Sequence, residues 1–143
     1  MLFFPFSFLL ELIMSSKSVI LCVDDERVIL ESLKIQIKQA FHDRYIYEAA
    51  ESADEALEIL EDLQEEDVQI LVIVSDWLMP GMKGDEFLIK VHHRFPKIVK
   101  IMLTGQADET AIEKAKREAN LFSCLAKPWQ NETLIETIKS GLS

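Results

Sequence analysis

The sequence is short of the residues that mark several common kinds of binding site. It has two cysteines, three histidines, and 15 basic residues against 25 acidic ones, which gives a formal net charge of -10. Cys22 and Cys124 form no CxxC pair and have no histidine cluster beside them, which argues against a zinc or redox site. The acidic balance argues against a nucleic-acid-binding module. We expect a cytoplasmic protein with reduced cysteines and no direct contact with nucleic acid.

Long apolar runs are missing as well. The most apolar segment, Met1 to Met14, is shorter than the ~20 residues that cross a bilayer as a helix, and it contains Glu11. It also lacks the basic start and the cleavage site of a secretory signal peptide. We expect no stable membrane insertion and interpret residues 1–16 as an apolar N-terminal extension, with Met14 as an alternative start. The other interpretation is an arm that docks on a partner or on the chain itself.

Internal repeats, low-complexity tracts and interdomain linkers are absent, so the chain is expected to form one domain over residues 17–143. Short β-rich runs alternate there with amphipathic stretches, a pattern typical of a parallel sheet covered by helices on both faces. Strands are predicted at Val19–Val23, Tyr45–Ala49, Ile70–Ser75, Val99–Leu103 and Phe122–Ala126. The predicted fold class is α/β, a flavodoxin-like doubly wound five-stranded parallel sheet in the order 2-1-3-4-5.

Five helices are predicted between and after these strands. The first begins near Arg27, the second follows a capping box at Ser52–Glu55, and the fourth spans about Ala107–Ala119. The apolar residues expected to face the core are Ile29, Leu33, Ile37 and Phe41 in the first helix, Ala56, Leu57 and Leu60 in the second, Phe87, Leu88 and Val91 in the third, and Leu134, Ile135, Ile138 and Leu142 in the last.

A polar residue follows or ends four of the predicted strands: Asp24 and Asp25 after the first, Asp76 after the third, Thr104 after the fourth and Lys127 after the fifth. The carboxyl ends of parallel strands share one edge of a sheet, so these side chains are expected to be neighbours. Each has a local alternative: a helix cap for the aspartates, a turn before Gly105 for Thr104, and a solvated side chain for Lys127. For Asp76 the cap is disfavoured, because Pro80 and Gly81 follow it.

Three neighbouring carboxylates repel one another and call for a cation. Their hard oxygen ligands suit Mg²⁺, with Mn²⁺ as an alternative. A metal held there can neutralise an incoming phosphoryl group and leave one carboxylate to attack phosphorus. Thr104 and Lys127 can supply a hydrogen bond and a positive charge to the remaining phosphoryl oxygens.

In these motifs the chain resembles the receiver domains of two-component response regulators. The matching segments are Val23–Glu26, Ser75–Gly84, Leu103–Gly105 and Ala126–Trp129. The resemblance implies that Asp76 accepts a phosphoryl group from a histidine kinase or a histidine phosphotransfer protein. It implies Mg²⁺ ligation by Asp25, Asp76 and the Trp77 carbonyl, with Asp24 acting mainly through a water. Thr104 and Lys127 would contact the phosphoryl group, and the Lys127–Pro128 peptide bond would be cis.

One position departs from the family pattern. The aromatic residue of the family's switch, three residues before Lys127, is replaced by Cys124. We hypothesise that signalling relies instead on the Thr104 loop and the helix after it, with Phe122 or Trp129 on the output face. Leu78, two residues after Asp76, is apolar and predicts slow hydrolysis of the phosphorylated state.

The expected role is a signalling domain that alters partner binding, with self-phosphorylation and slow self-dephosphorylation but no separate substrate to turn over. It could be a stand-alone regulator, a relay intermediate or a piece of a longer protein. Its downstream partner is unknown, and a homodimer through the face of the fourth helix, fifth strand and last helix is one expectation. A receiver-fold module independent of phosphate stays open as an alternative. A flavodoxin-like electron carrier is disfavoured, because Asp24 and Asp25 would repel a flavin phosphate. An aspartyl phosphatase or mutase is disfavoured because Leu78 stands where its second acid is usual.

Overall fold

A computed structural model describes residues 5, 17–106 and 109–143 of the chain. The strands are β1 (Val19–Val23), β2 (Ile46–Ala50), β3 (Ile70–Asp76), β4 (Val99–Thr104) and β5 (Ser123–Ala126). The helices are α1 (Arg27–Phe41), α2 (Ala53–Glu65), α3 (Gly84–Arg94), α4 (Glu109–Glu118) and α5 (Asn131–Leu142), with one 3₁₀ turn at His42–Arg44. Apart from Pro5, the predicted N-terminal extension lies outside the described residues, as does the predicted start of the fourth helix at Ala107.

The five strands form one parallel sheet in the order β2-β1-β3-β4-β5, which confirms the predicted fold class. Two predicted strand starts are one residue too early. Tyr45 follows the 3₁₀ turn, and pairing begins at Ile46, whose N–H donates to the Ser18 carbonyl. Phe122 donates its N–H to the Lys100 carbonyl just before β5 begins at Ser123.

Helices cover both faces of the sheet. Buried side chains of α2, α3 and α4 pack on one face, and those of α1 and α5 pack on the other. The central strand β3 is buried along nearly its whole length, as its continuous apolar run predicts. This packing anchors Asp76, the last residue of β3, within the core of the molecule.

The predicted helix signals are confirmed, with one further buried residue in α1. The Ser52 hydroxyl accepts a hydrogen bond from the Glu55 N–H at 3.1 Å, while the Glu55 carboxylate accepts from the Glu51 N–H at 3.1 Å. In α1, Leu30 is buried, and Ile29 is partly buried and packs against the same cluster. Leu57 of α2 and Leu142 of α5 are likewise partly buried and pack against their clusters. Leu30 is the buried residue of α1 that a spacing of four leaves out, because a helix turns every 3.6 residues.

Candidate functional site

Three carboxylates meet at the carboxyl edge of the sheet. Asp24 follows β1, Asp76 ends β3, and the two strands are hydrogen-bonded neighbours at the point where the strand order reverses. Carboxylate oxygens of Asp24, Asp25 and Asp76 lie within 4.8 Å of one another. Asp24 is fully buried, Asp76 is 5% exposed, and Asp25 is exposed. The cluster therefore has a buried floor of two carboxylates and a third that opens to solvent.

Lys127 lies in the middle of this cluster. Its Nζ lies 2.8 Å from Asp24 Oδ2 and 2.9 Å from Asp76 Oδ1, so one ammonium bridges two strand ends. The backbone places it there, because the Lys127 N–H donates to the Thr104 carbonyl at the end of β4. The peptide bond from Lys127 to Pro128 is cis. The local alternative of a solvated Lys127 does not describe this structure.

The electrostatics of the cluster leave it rich in negative charge. Burial raises the pKa of the Asp76 carboxyl and its Lys127 bond lowers it, while the charges of Asp24 and Asp25 add to the increase. Burial also lowers the pKa of Lys127, but its bonds to Asp24 and Asp76 outweigh burial and hold that pKa above its ordinary value. One ammonium thus faces three carboxylates, and a further cation at this edge would be strongly favoured.

Asp24 has hydrogen-bond donors on both of its oxygens. Oδ2 is bonded to Lys127, and Oδ1 accepts from the Glu26 N–H at 2.8 Å. Asp24 thus orders the chain just before α1, where Glu26 itself provides no side-chain cap. Each carboxylate oxygen of Asp24 thus already has one hydrogen-bond donor.

Thr104 ends β4 beside Asp76, and its hydroxyl is engaged locally. The hydroxyl donates to the Gln106 carbonyl at 2.9 Å and accepts from the Gln106 N–H at 3.2 Å. The turn interpretation of Thr104 therefore describes its present bonds. Its position on the strand next to β3 still places it at the edge that carries the carboxylates.

The segment between β3 and α3 is tied down at Trp77. The Trp77 N–H donates to the Leu103 carbonyl at 2.9 Å, and the Trp77 carbonyl accepts from the Gly84 N–H at 2.7 Å. The indole Nε1 donates to Asp85 Oδ1 at 3.1 Å. Leu78, the next residue, is 54% exposed. The carbonyl predicted to bind a metal thus already uses one of its two lone pairs.

The residues predicted to transmit a signal lie in different places. Cys124 is partly buried and packs against the core on the α3 and α4 side of the sheet. Phe122 is 46% exposed and lies against Gly141 of α5. Trp129 packs on the opposite side, where its Nε1 donates to Gln36 of α1 at 2.8 Å. Phe122 is therefore near the face of α4, β5 and α5, whereas Trp129 belongs with α1.

Two contacts at the site escape sequence reasoning. Asp85 bonds to Trp77 across eight positions, and Gln36 bonds to Trp129 across 93. An acid in the first turn of a helix ordinarily indicates a favourable charge at the helix N-terminus, so Asp85 carries no separate signal. Gln36 has no local pattern that links it to a tryptophan.

The donor set at the carboxyl edge fits a small hard cation. One carboxylate oxygen from each of the three aspartates lies within 4.8 Å of the others, and oxygen ligands of this kind are those that Mg²⁺ prefers. Asp25 and the second oxygen of Asp76 are the candidates for direct ligation. The pair of excess negative charges left after Lys127 matches a divalent ion.

Comparison with known proteins identifies the family. Residues 20–139 match the family model of the response regulator receiver domain. The chain belongs to this family. Receiver domains are signalling modules of two-component systems that interact with histidine kinases and output domains, and they generally bind Mg²⁺ through an acidic cluster such as that of Asp24, Asp25 and Asp76.

Relatives of this receiver domain differ greatly in length. It is 34% identical over 130 residues to the hydrogenase transcriptional regulatory protein HoxA of Cupriavidus necator, which covers 90% of this chain but 25% of that protein. It is 29% identical over 132 residues to the chemotaxis protein CheY-3 of Vibrio cholerae, covering 90% of this chain and 95% of that one. The crystal structure of a CheY-like receiver domain protein from Methanospirillum hungatei JF-1 superposes with a TM-score of 0.77 at 31% identity, covering 89% and 94% of the two chains.

The lengths and apolar character of the helices bear on whether one of them could cross a membrane. Among residues 17–106 and 109–143, none of the helices has both the length and the apolar character needed to cross a membrane.

Proposed function

We propose that this receiver domain accepts a phosphoryl group on Asp76 from a histidine kinase or a histidine phosphotransfer protein, with Mg²⁺ or Mn²⁺ as the required ion, and that phosphorylation alters the binding of a partner. The observation that carries the proposal is the bond from Lys127 to Asp76 inside the carboxylate cluster. The cluster thus brings together a carboxylate that can act as nucleophile, further carboxylates that could hold a metal ion, and the positive charge of Lys127 at one edge of the sheet.

Each residue of the cluster has a proposed role in binding the metal ion. Asp25 and Asp76 would hold the ion, and the Trp77 carbonyl would add a backbone ligand. Asp24 acts mainly through a water, which is supported by the two donors already on its oxygens. An ion held by these residues would supply positive charge against the incoming phosphoryl group and the carboxylates around it.

The transfer itself requires one bond to form and one to break. An Asp76 carboxylate oxygen attacks phosphorus, the phosphorus–nitrogen bond of the donor phosphohistidine breaks, and the imidazole leaves with the bonding pair and takes up a proton. Lys127 keeps a positive charge beside the phosphoryl oxygens, because its raised pKa holds it protonated. Each part of the step is thus assigned to a residue of the cluster or to the donor.

The response to phosphorylation would begin at Thr104. Its hydroxyl can exchange the Gln106 carbonyl for a phosphoryl oxygen, since a charged acceptor forms the stronger hydrogen bond. That exchange would move the loop before α4. We propose that this loop, α4 and the nearby Phe122 form the output surface, and that a homodimer through α4, β5 and α5 is one product of the change.

The lifetime of the phosphorylated state depends on water near Asp76. Leu78 offers no polar group to orient an attacking water, and we propose that the state is hydrolysed slowly. Release of label with a half-life of seconds in Mg²⁺ would contradict this proposal.

The acceptor is tested with a small phosphodonor. Wild type, Asp76→Ala and Asp62→Ala are incubated with acetyl phosphate and Mg²⁺, and the mass of each intact protein is followed. Asp62 is an exposed carboxylate on α2 and serves as the matched control. We expect base-labile labelling of wild type and Asp62→Ala, none of Asp76→Ala, and none of any protein after chelation of the metal. Equal labelling of Asp76→Ala would exclude the acceptor.

A phosphate-independent interaction module is the second candidate. Cys124 in place of the switch aromatic and the local engagement of the Thr104 hydroxyl favour it. It predicts that a partner isolated with the protein binds wild type and Asp76→Ala equally well. Because the chain spans about a quarter of the hydrogenase regulators it matches, the partner could be another domain of a longer protein.

A further inference from the structure

Trp77 is held through its side chain as well as through its backbone. It directly follows Asp76, is 9% exposed, and donates its indole N–H to Asp85, which is 7% exposed. The Lys83 ammonium lies 5.2 Å from the centre of the indole ring. The ring is thereby enclosed between the start of α3 and the end of β3.

The bond between Trp77 and Asp85 closes the loop that carries the proposed metal ligands. The Trp77 backbone is tied to Leu103 on one side and to Gly84 on the other. Gly84 approaches so closely that a Cβ there would lie 2.2 Å from the Asp76 carbonyl oxygen. The position of Asp76 therefore depends on how α3 is seated, and the Trp77 indole bonds directly to the first turn of α3.

Loss of the Asp85 acceptor would release this arrangement. A buried indole N–H without a partner is unfavourable, so the ring would turn toward another acceptor or toward water. The first turn of α3 would then lose its bond to the indole and pack less firmly against the end of β3, where the Asp76 carboxylate is held. Mutation of a group that orients a metal ligand through hydrogen bonds typically weakens metal binding about 10- to 100-fold.

We infer that Asp85 is a positioning residue for phosphoryl transfer, which holds the Trp77 indole and through it keeps Asp76 in its metal-binding geometry. The inference rests on the proposed function of Asp76. A role of Asp85 limited to favourable charge at the N-terminus of α3 is the alternative.

The two roles are separated by a double-mutant cycle on the full chain. The dissociation constant of Mg²⁺ is measured by calorimetry for wild type, Asp85→Ala, Trp77→Phe and the double variant, and the rate of labelling by acetyl phosphate is measured for each. We expect Asp85→Ala to weaken Mg²⁺ binding about 10-fold in the presence of the indole and less than about twofold in the Trp77→Phe background. Asp85→Asn should retain nearly wild-type affinity, because its amide oxygen accepts the same hydrogen bond.

Two results would overturn the inference. The first is an Asp85→Ala variant that binds Mg²⁺ as tightly as wild type does. The second is an Asp85→Ala substitution that weakens Mg²⁺ binding by the same factor in the wild-type and Trp77→Phe backgrounds. If Asp85→Ala fails to fold, Trp77→Phe removes the donor instead, and unchanged affinity in that variant has the same meaning. A wild type that neither binds Mg²⁺ nor takes label removes the proposed function itself, whereas the variant results alone leave that function intact.

Discussion

Lys127 and Lys100 are both largely withdrawn from water, yet their surroundings differ. Lys127 has two carboxylate partners, which raise its pKa above the ordinary value. Lys100 is 1% exposed, and its ammonium donates to the Ile98 carbonyl at 2.7 Å. Within the described part of the chain Lys100 forms no ion pair, and burial lowers its pKa. The charge of Lys127 is thus stabilised by two carboxylates, whereas the charge of Lys100 is buried with a carbonyl as its hydrogen-bond acceptor.

The buried charge of Lys100 predicts an unusual dependence of stability on pH. Between its lowered folded pKa and the ordinary value of 10.5, the unfolded chain holds a proton that the folded chain has lost. The free energy of unfolding contributed by Lys100 therefore rises with pH in that window, and the unfavourable burial is fully present below it. At pH 7 the free energy of unfolding of Lys100→Met should therefore exceed that of wild type by about 1 kcal/mol. Burial lowers the pKa of His92, and the charge of Lys100 lowers it further.

Urea denaturation at pH 7 and pH 10 checks this prediction. The advantage of Lys100→Met over wild type should be smaller at pH 10 than at pH 7, because burial lowers the pKa of Lys100 and the folded wild type sheds the buried charge as the pH rises toward the ordinary value of 10.5. Lys97→Met is the control, because Lys97 is exposed and close in sequence. A variant less stable than wild type at pH 7 would show that the bond to Ile98 outweighs the burial of charge.

At the scale of elements, the seating of α3 on β3 depends on a missing side chain. A Cβ on Gly84 would lie 2.2 Å from the Asp76 carbonyl oxygen and 2.8 Å from Trp77 Cα, and both of these are backbone atoms. Backbone at the end of a central strand cannot move aside without disturbing the sheet. The start of α3 can therefore approach β3 only where glycine stands.

Gly84→Ala is expected to lower the free energy of unfolding by about 3 kcal/mol through this overlap and to weaken Mg²⁺ binding at the adjacent cluster. Gly105→Ala is the matched control, since its Cβ would meet Lys127 Cβ at an ordinary 3.8 Å. Urea denaturation and calorimetric titration with Mg²⁺ measure the two effects. Equal stability of the two variants would mean that α3 can shift without loss.

The fifth strand carries the departure from the family pattern. Cys124 pairs in register with Met102 of β4 and packs toward α3 and α4. We expect Cys124→Tyr to respond to beryllofluoride and Mg²⁺ as wild type does, because the proposed switch begins at the Thr104 loop. Amide hydrogen exchange across residues 104–118 measures the response, and Cys124→Ser controls for loss of the thiol. A much larger change in Cys124→Tyr would show that the missing aromatic limits the switch.

At the scale of the whole molecule, the sheet is anchored from residue 18 onward. The Ser18 carbonyl accepts from the Ile46 N–H, and the Val19 N–H donates to the Gln69 carbonyl. Deleting residues 1–13 should therefore change the free energy of unfolding by less than about 0.5 kcal/mol and leave labelling of Asp76 intact. Deleting residues 1–19 removes both bonds and should destabilise the fold. Loss of folding or labelling in the shorter deletion would favour a docked arm.

The parts of this fold that are predictable from the sequence are those set by periodicity. The apolar run before Asp76 predicts a strand buried on both faces, and the alternation of strands and helices predicts a doubly wound sheet, and the structure has both. Strand starts at Tyr45 and Phe122 were wrong by one residue, because pairing partners on other strands decide where a strand begins. Leu30 was left out because a spacing of four follows a single line along a helix that turns every 3.6 residues.

By itself the sequence determined which chemical groups this receiver domain brings to the carboxyl edge of its sheet, since each lies at the end of a strand whose pattern is local. Only the tertiary structure decided which of them bond to one another. Lys127 bonds to both Asp24 and Asp76. The Thr104 hydroxyl bonds to Gln106, and the Trp77 indole bonds to Asp85. Periodicity places a residue on a strand, but the direction of its hydrogen bonds depends on neighbours that are distant in the chain and meet only when the sheet has formed.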